Sequence, residues 1–195
     1  GGTWQVEKPE NFLEQDAPFQ PNPGYADFTK PGFGIACDGE EWRMTTDRGH
    51  VWKGPFNLPE AGEGLSARTD YVINGPQDCL FFLSANDERP SGLETDRAFC
   101  ARTRDGGKSF SFAGWITPAN DEARSVMPST VRCGKNHLVT AVRQRLYEKR
   151  TGPLDSKNWI GIYESKDNGK TWGFLSKAAA TDRGGHNGNP PAMVR

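Results

Sequence analysis

Apolar residues in this chain fall in short runs separated by polar turn residues. The runs are TDYVI (69–73), CLFFLSA (79–85), RAFCARTR (97–104), FSFAGWI (110–116), MPSTVRC (127–133), HLVTAVRQR (137–145), NWIGIYES (158–165) and WGFLSK (172–177). Their aromatic and β-branched content is that of strands. No stretch of about 12 residues carries a capped apolar stripe of helical period. The pattern predicts an all-β chain.

Three polar segments between runs share one form: TTDRGHVW (45–52), TRDGGKSF (103–110) and SKDNGKTW (165–172). Each reads Ser/Thr, any, Asp, any, Gly, two further positions, aromatic. The Asp residues are Asp47, Asp105 and Asp167, spaced 58 (105 − 47) and 62 (167 − 105) residues apart. The Asp can accept hydrogen bonds from backbone N–H groups just after it, and the Ser/Thr can add a second local bond. Gly49, Gly107 and Gly169 supply a positive φ. The closing Trp52, Phe110 or Trp172 starts the next strand and fills apolar volume beneath the turn. Two strand runs precede each of the later two boxes, one leads into it and one follows it. That makes four strands per repeat, here called A to D, with the box between C and D. A four-stranded unit repeated at about 60 residues is the unit of a β-propeller. The expected blades are 1–56, 57–116 and 117–177, with 178–195 opening another.

Composition narrows the function. Lys plus Arg number 24 against 25 Asp plus Glu in 195 residues, a net charge of −1. No global field favours nucleic acid or an anionic membrane. No apolar run approaches the ~18 residues of a membrane-spanning helix. The four cysteines, Cys37, Cys79, Cys100 and Cys133, form no CxxC pair, so a zinc site is not expected; nothing gathers His, Asp and Cys at metal spacing, and no metal or cofactor is expected. Each lies in or beside a strand run and is expected as a buried thiol, although sequence does not decide pairing. A calcium loop at the boxes would need further oxygen ligands and a Glu at its twelfth position, which none has. The box Asp residues are therefore read as scaffold.

The three boxes resemble the Asp-box, or BNR, repeat of sialidases and related β-propellers. SVMPSTVRCGKNHLVTAVRQR resembles the innermost two strands of a sialidase blade, and GNPPAMVR the start of another. The likeness covers nearly the whole chain, most clearly from about residue 33. It implies a sialidase-like β-propeller and an exo-sialidase-like glycoside hydrolase acting on acidic glycans. In that family an arginine cluster grips the sugar carboxylate, an Asp is acid/base and a Tyr paired with a Glu is nucleophile. A secreted or periplasmic location is implied by the resemblance alone. The alternatives are another carbohydrate-active propeller, such as a polysaccharide lyase, and a non-catalytic propeller that binds glycan or protein.

Antiparallel strands put the boxes and the A–B turns at one end. The B–C loops (86–96, 146–157) and the D–A crossovers (57–68, 117–125, 181–189) lie at the other, which is the expected functional end. Candidate substrate contacts there are Arg68, Arg124, Arg143, Arg145 and His186. Asp70 is the candidate acid/base. ARTDY (67–71) matches the family's Arg-apolar-Pro strand start with Arg68 at the Arg and Asp70 where Pro is expected. In RSVMPS and NPPAM the matching positions are Val126 and Asn189, and no residue matches the Tyr nucleophile. The plainer readings pair Arg68 and Arg124 with Glu60, Glu63, Asp121 or Glu122, pair Asp70 with Arg68, and leave Arg143 and Arg145 in a solvated basic loop. His50 is expected to be exposed, and His137 carries no signal.

Gly1-Gly2-Thr3-Trp4 match the last four positions of a box. The expectation is a propeller fragment of about three blades that leaves part of its site outside the sequence. Its unpaired edges are expected to favour aggregation.

Overall fold

β-Branched and aromatic runs bounded by Gly, Pro and Asp favour extended backbone. The structure, a computed structural model, describes residues 8–10, 17–61, 64–86, 96–147, 156–181 and 190–194. Among these there are twelve strands and no helix. They are β1 (Gly34–Gly39), β2 (Glu41–Thr45), β3 (Lys53–Asn57), β4 (Ala67–Arg68), β5 (Tyr71–Gly75) and β6 (Asp78–Asn86). The second half holds β7 (Asp96–Thr103), β8 (Ser111–Trp115), β9 (Arg124–Arg132), β10 (Leu138–Tyr147), β11 (Ser156–Ser165) and β12 (Gly173–Ala180). They form three four-stranded antiparallel sheets, ordered β3-β2-β1-β4, β5-β6-β7-β8 and β9-β10-β11-β12.

The second and third sheets are four consecutive strands each. The first is built differently. Its inner place is taken by β4, two residues of the crossover that follows β3, through Asp38↔Arg68 and Gly39↔Ala67. Just before β4 the chain pairs with the top of β6 (Leu65↔Ala85), and just after it returns to β6 at Tyr71↔Phe81. The crossover thus stitches the first sheet to the second.

The continuous apolar run CLFFL marks a strand covered on both faces. Cys79, Phe81, Leu83 and Ala85 of β6 join Trp42, Met44 and Phe56 in one buried cluster, while Leu80 and Phe82 join Leu138, Val142 and Tyr163 in another. Burying each such large side chain is worth about 1.5–3 kcal/mol. These two cores hold the sheets face to face in chain order.

The boxes are tight local networks. In the first, the Thr45 hydroxyl donates to Asp47 Oδ1 (2.6 Å) and accepts from Gly49 N (3.0 Å), while Asp47 Oδ1 accepts from Val51 N (3.0 Å). Thr103, Asp105, Gly107 and Ser109 repeat this, as do Ser165, Asp167, Gly169 and Thr171. Gly49, Gly107 and Gly169 have φ of 91°, 90° and 91°. The indole N–H groups of Trp52 and Trp172 donate to the carbonyls of Gly49 and Gly169, both at 3.0 Å. Phe110 has no such donor and packs edge-on against Phe81, 5.2 Å between centroids. The second and third boxes lie on the sheet before them. A Cβ on Gly107 would come 2.7 Å from the Trp42 ring, and one on Gly169 would come 3.0 Å from Cys100 Sγ. Gly106 N donates to Gln77 O (3.1 Å) and Asn168 N to Asn136 O (2.9 Å), which fixes boxes and A–B turns at one end.

All four cysteines are free thiols. Cys37, Cys79 and Cys100 are buried, whereas Cys133 is exposed. The expectation of a buried thiol fails at Cys133 because it sits in the β9–β10 turn, past the last residue of β9.

Candidate functional site

The end away from the boxes carries the β1–β2 turn, the crossovers and the starts of β7 and β9. The loop residues 87–95 and 148–155, Glu63, His186 and Asn189 lie outside the described residues, as does the box-like Gly1–Trp4. Five of the six candidate substrate and acid/base residues can be placed.

Arg68 is exposed. Its Nη1 pairs with Asp38 Oδ1 and donates to its neighbour's carbonyl, Ala67 O (2.9 Å). The side chains of Arg68 and Asp38 are 54% and 78% accessible, so this pair stands in solvent. Arg124 is held differently: its Nε donates to Asp96 Oδ2 at 2.5 Å, and that carboxylate is buried and also faces the Ser66 hydroxyl (3.4 Å). The pair ties the first residue of β9 to the first residue of β7.

Arg143 and Arg145 are both buried, at 7%. Between them Gln144 donates to Asp121 Oδ2 (2.8 Å) and Ser125 Oγ (3.1 Å) and accepts from Trp159 Nε1 and the Tyr163 hydroxyl. Gln144 and Val142 face the second sheet, so by strand alternation the two arginines face away from it. Arg143 donates to Met127 Sδ (3.3 Å) and Arg145 Nε to Asn158 Oδ1 (2.9 Å). They are strand residues folded into the third sheet, not a basic loop.

Asp70 is half-buried in the inner seam between the second and third sheets. Its Oδ1 accepts from Thr130 N (3.2 Å) on β9, while its Oδ2 is closed off and has no hydrogen-bond partner. Burial pushes the carboxyl up to about 7, with the Thr130 N–H and hydroxyl pulling it part of the way back. The Arg68–Asp70 pair of the plainer reading is not made: each has a partner on another strand.

Register corrects the alignment at this strand. Cys79 stands opposite the first box residue Thr103, and Leu138 opposite the corresponding Ser165. Three residues on, Phe82 and Ala141 are therefore equivalent. Phe82 N donates to Asp70 O, and Ala141 pairs with Ser129. Asp70 thus matches Ser129, not Pro128, and Arg68 matches Met127, not Val126. The bulge at Met127, whose φ is +54°, hides this offset from sequence counting.

Two further features escaped the sequence reading. Asp38 lacks any motif and reaches Arg68 only through β1–β4 pairing. A cleft of about 490 Å³ also opens at this end, lined by Glu40, Asn57, Leu58, Glu60, Ala61, Gly64 and Leu65. It lies one register step from the Arg68–Asp38 pair, beside Gly39↔Ala67. Among the described residues no group of three or more His, Cys, Asp or Glu side chains is placed to hold a metal, and no helix is long and apolar enough to cross a membrane.

No family model and no curated protein matches the chain. It is similar to a solved structure of a Dyadobacter fermentans protein of unknown function, with a TM-score of 0.58 and 20% identity over 80% of this chain and 41% of that one. It is also similar, at a TM-score of 0.46 and 17% identity, to an α-L-arabinofuranosidase of Fusarium graminearum solved with an iminosugar inhibitor, over 76% of this chain and 46% of that one. The first likeness is one of fold, and the chain spans about two fifths of that protein's length.

Proposed function

We propose that this chain is part of a carbohydrate-active, sialidase-like β-propeller that takes an acidic glycan at the end opposite its Asp boxes, with Arg68 as the contact to the sugar carboxylate. The observation that carries this is the solvent-exposed Arg68–Asp38 pair on the inner edge. An exposed ion pair is worth about 0–1 kcal/mol, so exchanging Asp38 for a substrate carboxylate costs little. Breaking Arg124 from buried Asp96 is far more expensive, because it strands a charge away from water. Guanidinium binds carboxylate bidentately, which would orient the sugar over the neighbouring cleft and its Glu40 and Glu60.

Hydrolysis further requires a protonated carboxyl at the glycosidic oxygen. Asp70 has the right proton affinity, and it would have to open its Oδ2 to reach substrate. That closed oxygen favours a second reading, a propeller that binds glycan without cleaving it.

Titration with a sialylated oligosaccharide, followed by ligand-observed NMR, and cleavage of a fluorogenic sialoside separate these readings. Binding that is lost in Arg68→Ala and kept in Lys135→Ala supports the site. Turnover that disappears in Asp70→Asn with binding intact supports hydrolysis, and binding without turnover supports the second reading. Unchanged binding in Arg68→Ala removes the assignment.

A further inference from the structure

The register that equates Asp70 with Ser129 also equates what their side chains do. Asp70 Oδ1 accepts the N–H of Thr130, one strand along (3.2 Å). Ser129 Oγ accepts the N–H of Met193, in the segment 190–194 beyond β12 (3.0 Å). When Pro191 in NPPAM is set against Pro128 in VMPST, Met193 falls on Thr130. The same position therefore makes the same bond twice, each time to the equivalent residue of the next repeat, which lies on β9 in the first case and in the segment 190–194 in the second. Inner strands of successive sheets share no backbone ladder, so their N–H groups need such partners.

We infer that the Asp70/Ser129 position is a clasp joining the inner segments of successive repeats, and that Asp70 makes the clasp between the second and third sheets proton-dependent. Ser129 makes its bond with a hydroxyl that stays neutral across the working pH range. Asp70 brings a second oxygen, Oδ2, into a closed seam that gives it no donor. A neutral carboxyl there leaves one polar group unsatisfied; an ionised one leaves a charge so. The titratable groups acting with it are thiols: Cys37 on β1 and Cys100 on β7. Burial pushes Cys37 up to about 12 and Cys100 higher, so both stay neutral at physiological pH and offer no countercharge. Cys79 and Tyr71, the next groups out, are likewise raised by burial.

The direction follows from linkage. A carboxyl whose folded value lies near 7 and whose unfolded value lies near 3.8 binds its proton more tightly when folded. Its contribution is greatest below the unfolded value, falls as pH rises through the folded one, and is at its lowest above that.

The test uses the full chain and three variants, Asp70→Ser, Asp70→Ala and Ser129→Ala. Urea melts at pH 5 and pH 8 are combined with amide hydrogen exchange resolved at Thr130 and Met193. Wild type is expected to unfold at lower urea at pH 8 than at pH 5, by a margin that Asp70→Ser abolishes. Asp70→Ser keeps Thr130 protected, as Ser129 keeps Met193. Asp70→Ala lowers Thr130 protection about tenfold, the effect of losing one net hydrogen bond of ~1.4 kcal/mol, and Ser129→Ala does so at Met193. The inference is overturned if Asp70→Ser retains the wild-type pH dependence. It is equally overturned if Ser129→Ala leaves Met193 protection unchanged. Should Asp70→Ala fail to fold, the Asp70→Ser and Ser129→Ala arms still decide.

Discussion

The three box glycines offer a controlled experiment on how successive sheets hold together. Gly49, Gly107 and Gly169 share a φ of 91°, 90° and 91°, so replacement by Ala carries the same backbone penalty at each. That penalty is about 1–2 kcal/mol for an L-residue forced to positive φ, partly offset by about 0.4–1 kcal/mol from the stiffer unfolded chain. What differs is the surroundings. A Cβ at Gly49 meets nothing closer than its own Trp52 ring, at 3.8 Å. At Gly169 it comes 3.0 Å from Cys100 Sγ, and at Gly107 it comes 2.7 Å from two atoms of the Trp42 ring. Trp42 is fully buried and wedged between Phe56 and Phe81, with centroids 5.0 and 5.7 Å away, so it has nowhere to retreat. Overpacking of this kind adds about 1–3 kcal/mol. Gly49→Ala should therefore cost about 1 kcal/mol and Gly107→Ala about 2–4 kcal/mol, with Gly169→Ala between them. Urea denaturation at fixed pH, with matched m-values, measures all three. Adding Cys100→Ala to Gly169→Ala should recover part of the loss, because it removes the sulfur in the way. Equal costs at Gly49 and Gly107 would refute the reasoning, since the backbone term would then be the whole effect.

Two other outcomes follow from the same geometry. The carboxylate of Asp167 is held at about 2 by hydrogen bonds from Thr171, Ser165 and Lys170, and Asp167→Ala should destabilise at pH 7 by about 1–2 kcal/mol, as loss of a comparable capping side chain does. Because its folded value is depressed, that advantage is present above the unfolded value and lost as pH falls through 2, so wild-type and variant melts should converge in acid; a gap as large at pH 2 as at pH 7 contradicts this. Of the four thiols only exposed Cys133 should react with an aromatic disulfide reagent in the native protein, with Cys37, Cys79 and Cys100 following on unfolding; a second fast thiol refutes the packing.

The fold was legible in sequence wherever the interactions that make it are local. Thr45, Asp47, Gly49 and Val51 close their turn within six residues of one another, so a motif states the whole network. The run CLFFL reads as a strand from its composition, and the structure covers both of its faces because apolar residues at both alternations need two cores. The site did not yield in the same way. Arg143 and Arg145 could be placed on one side of a strand, yet which side faced the second sheet depended on Gln144 being drawn to Asp121 of the crossover and to Trp159 and Tyr163 of β11. Asp70 could be placed on the innermost strand, but its partner lies 60 residues away at Thr130, and its true match in the next repeat was hidden by the bulge at Met127. Asp38, paired to Arg68 across 30 residues, had no local signature at all. Hydrophobic pattern and turn chemistry are written residue by residue, so the sequence alone determined the strands of the second and third sheets, the boxes and their repeat. The partner of each charged side chain was decided by register between distant strands and by which sheet packs on which, and only the tertiary structure sets those.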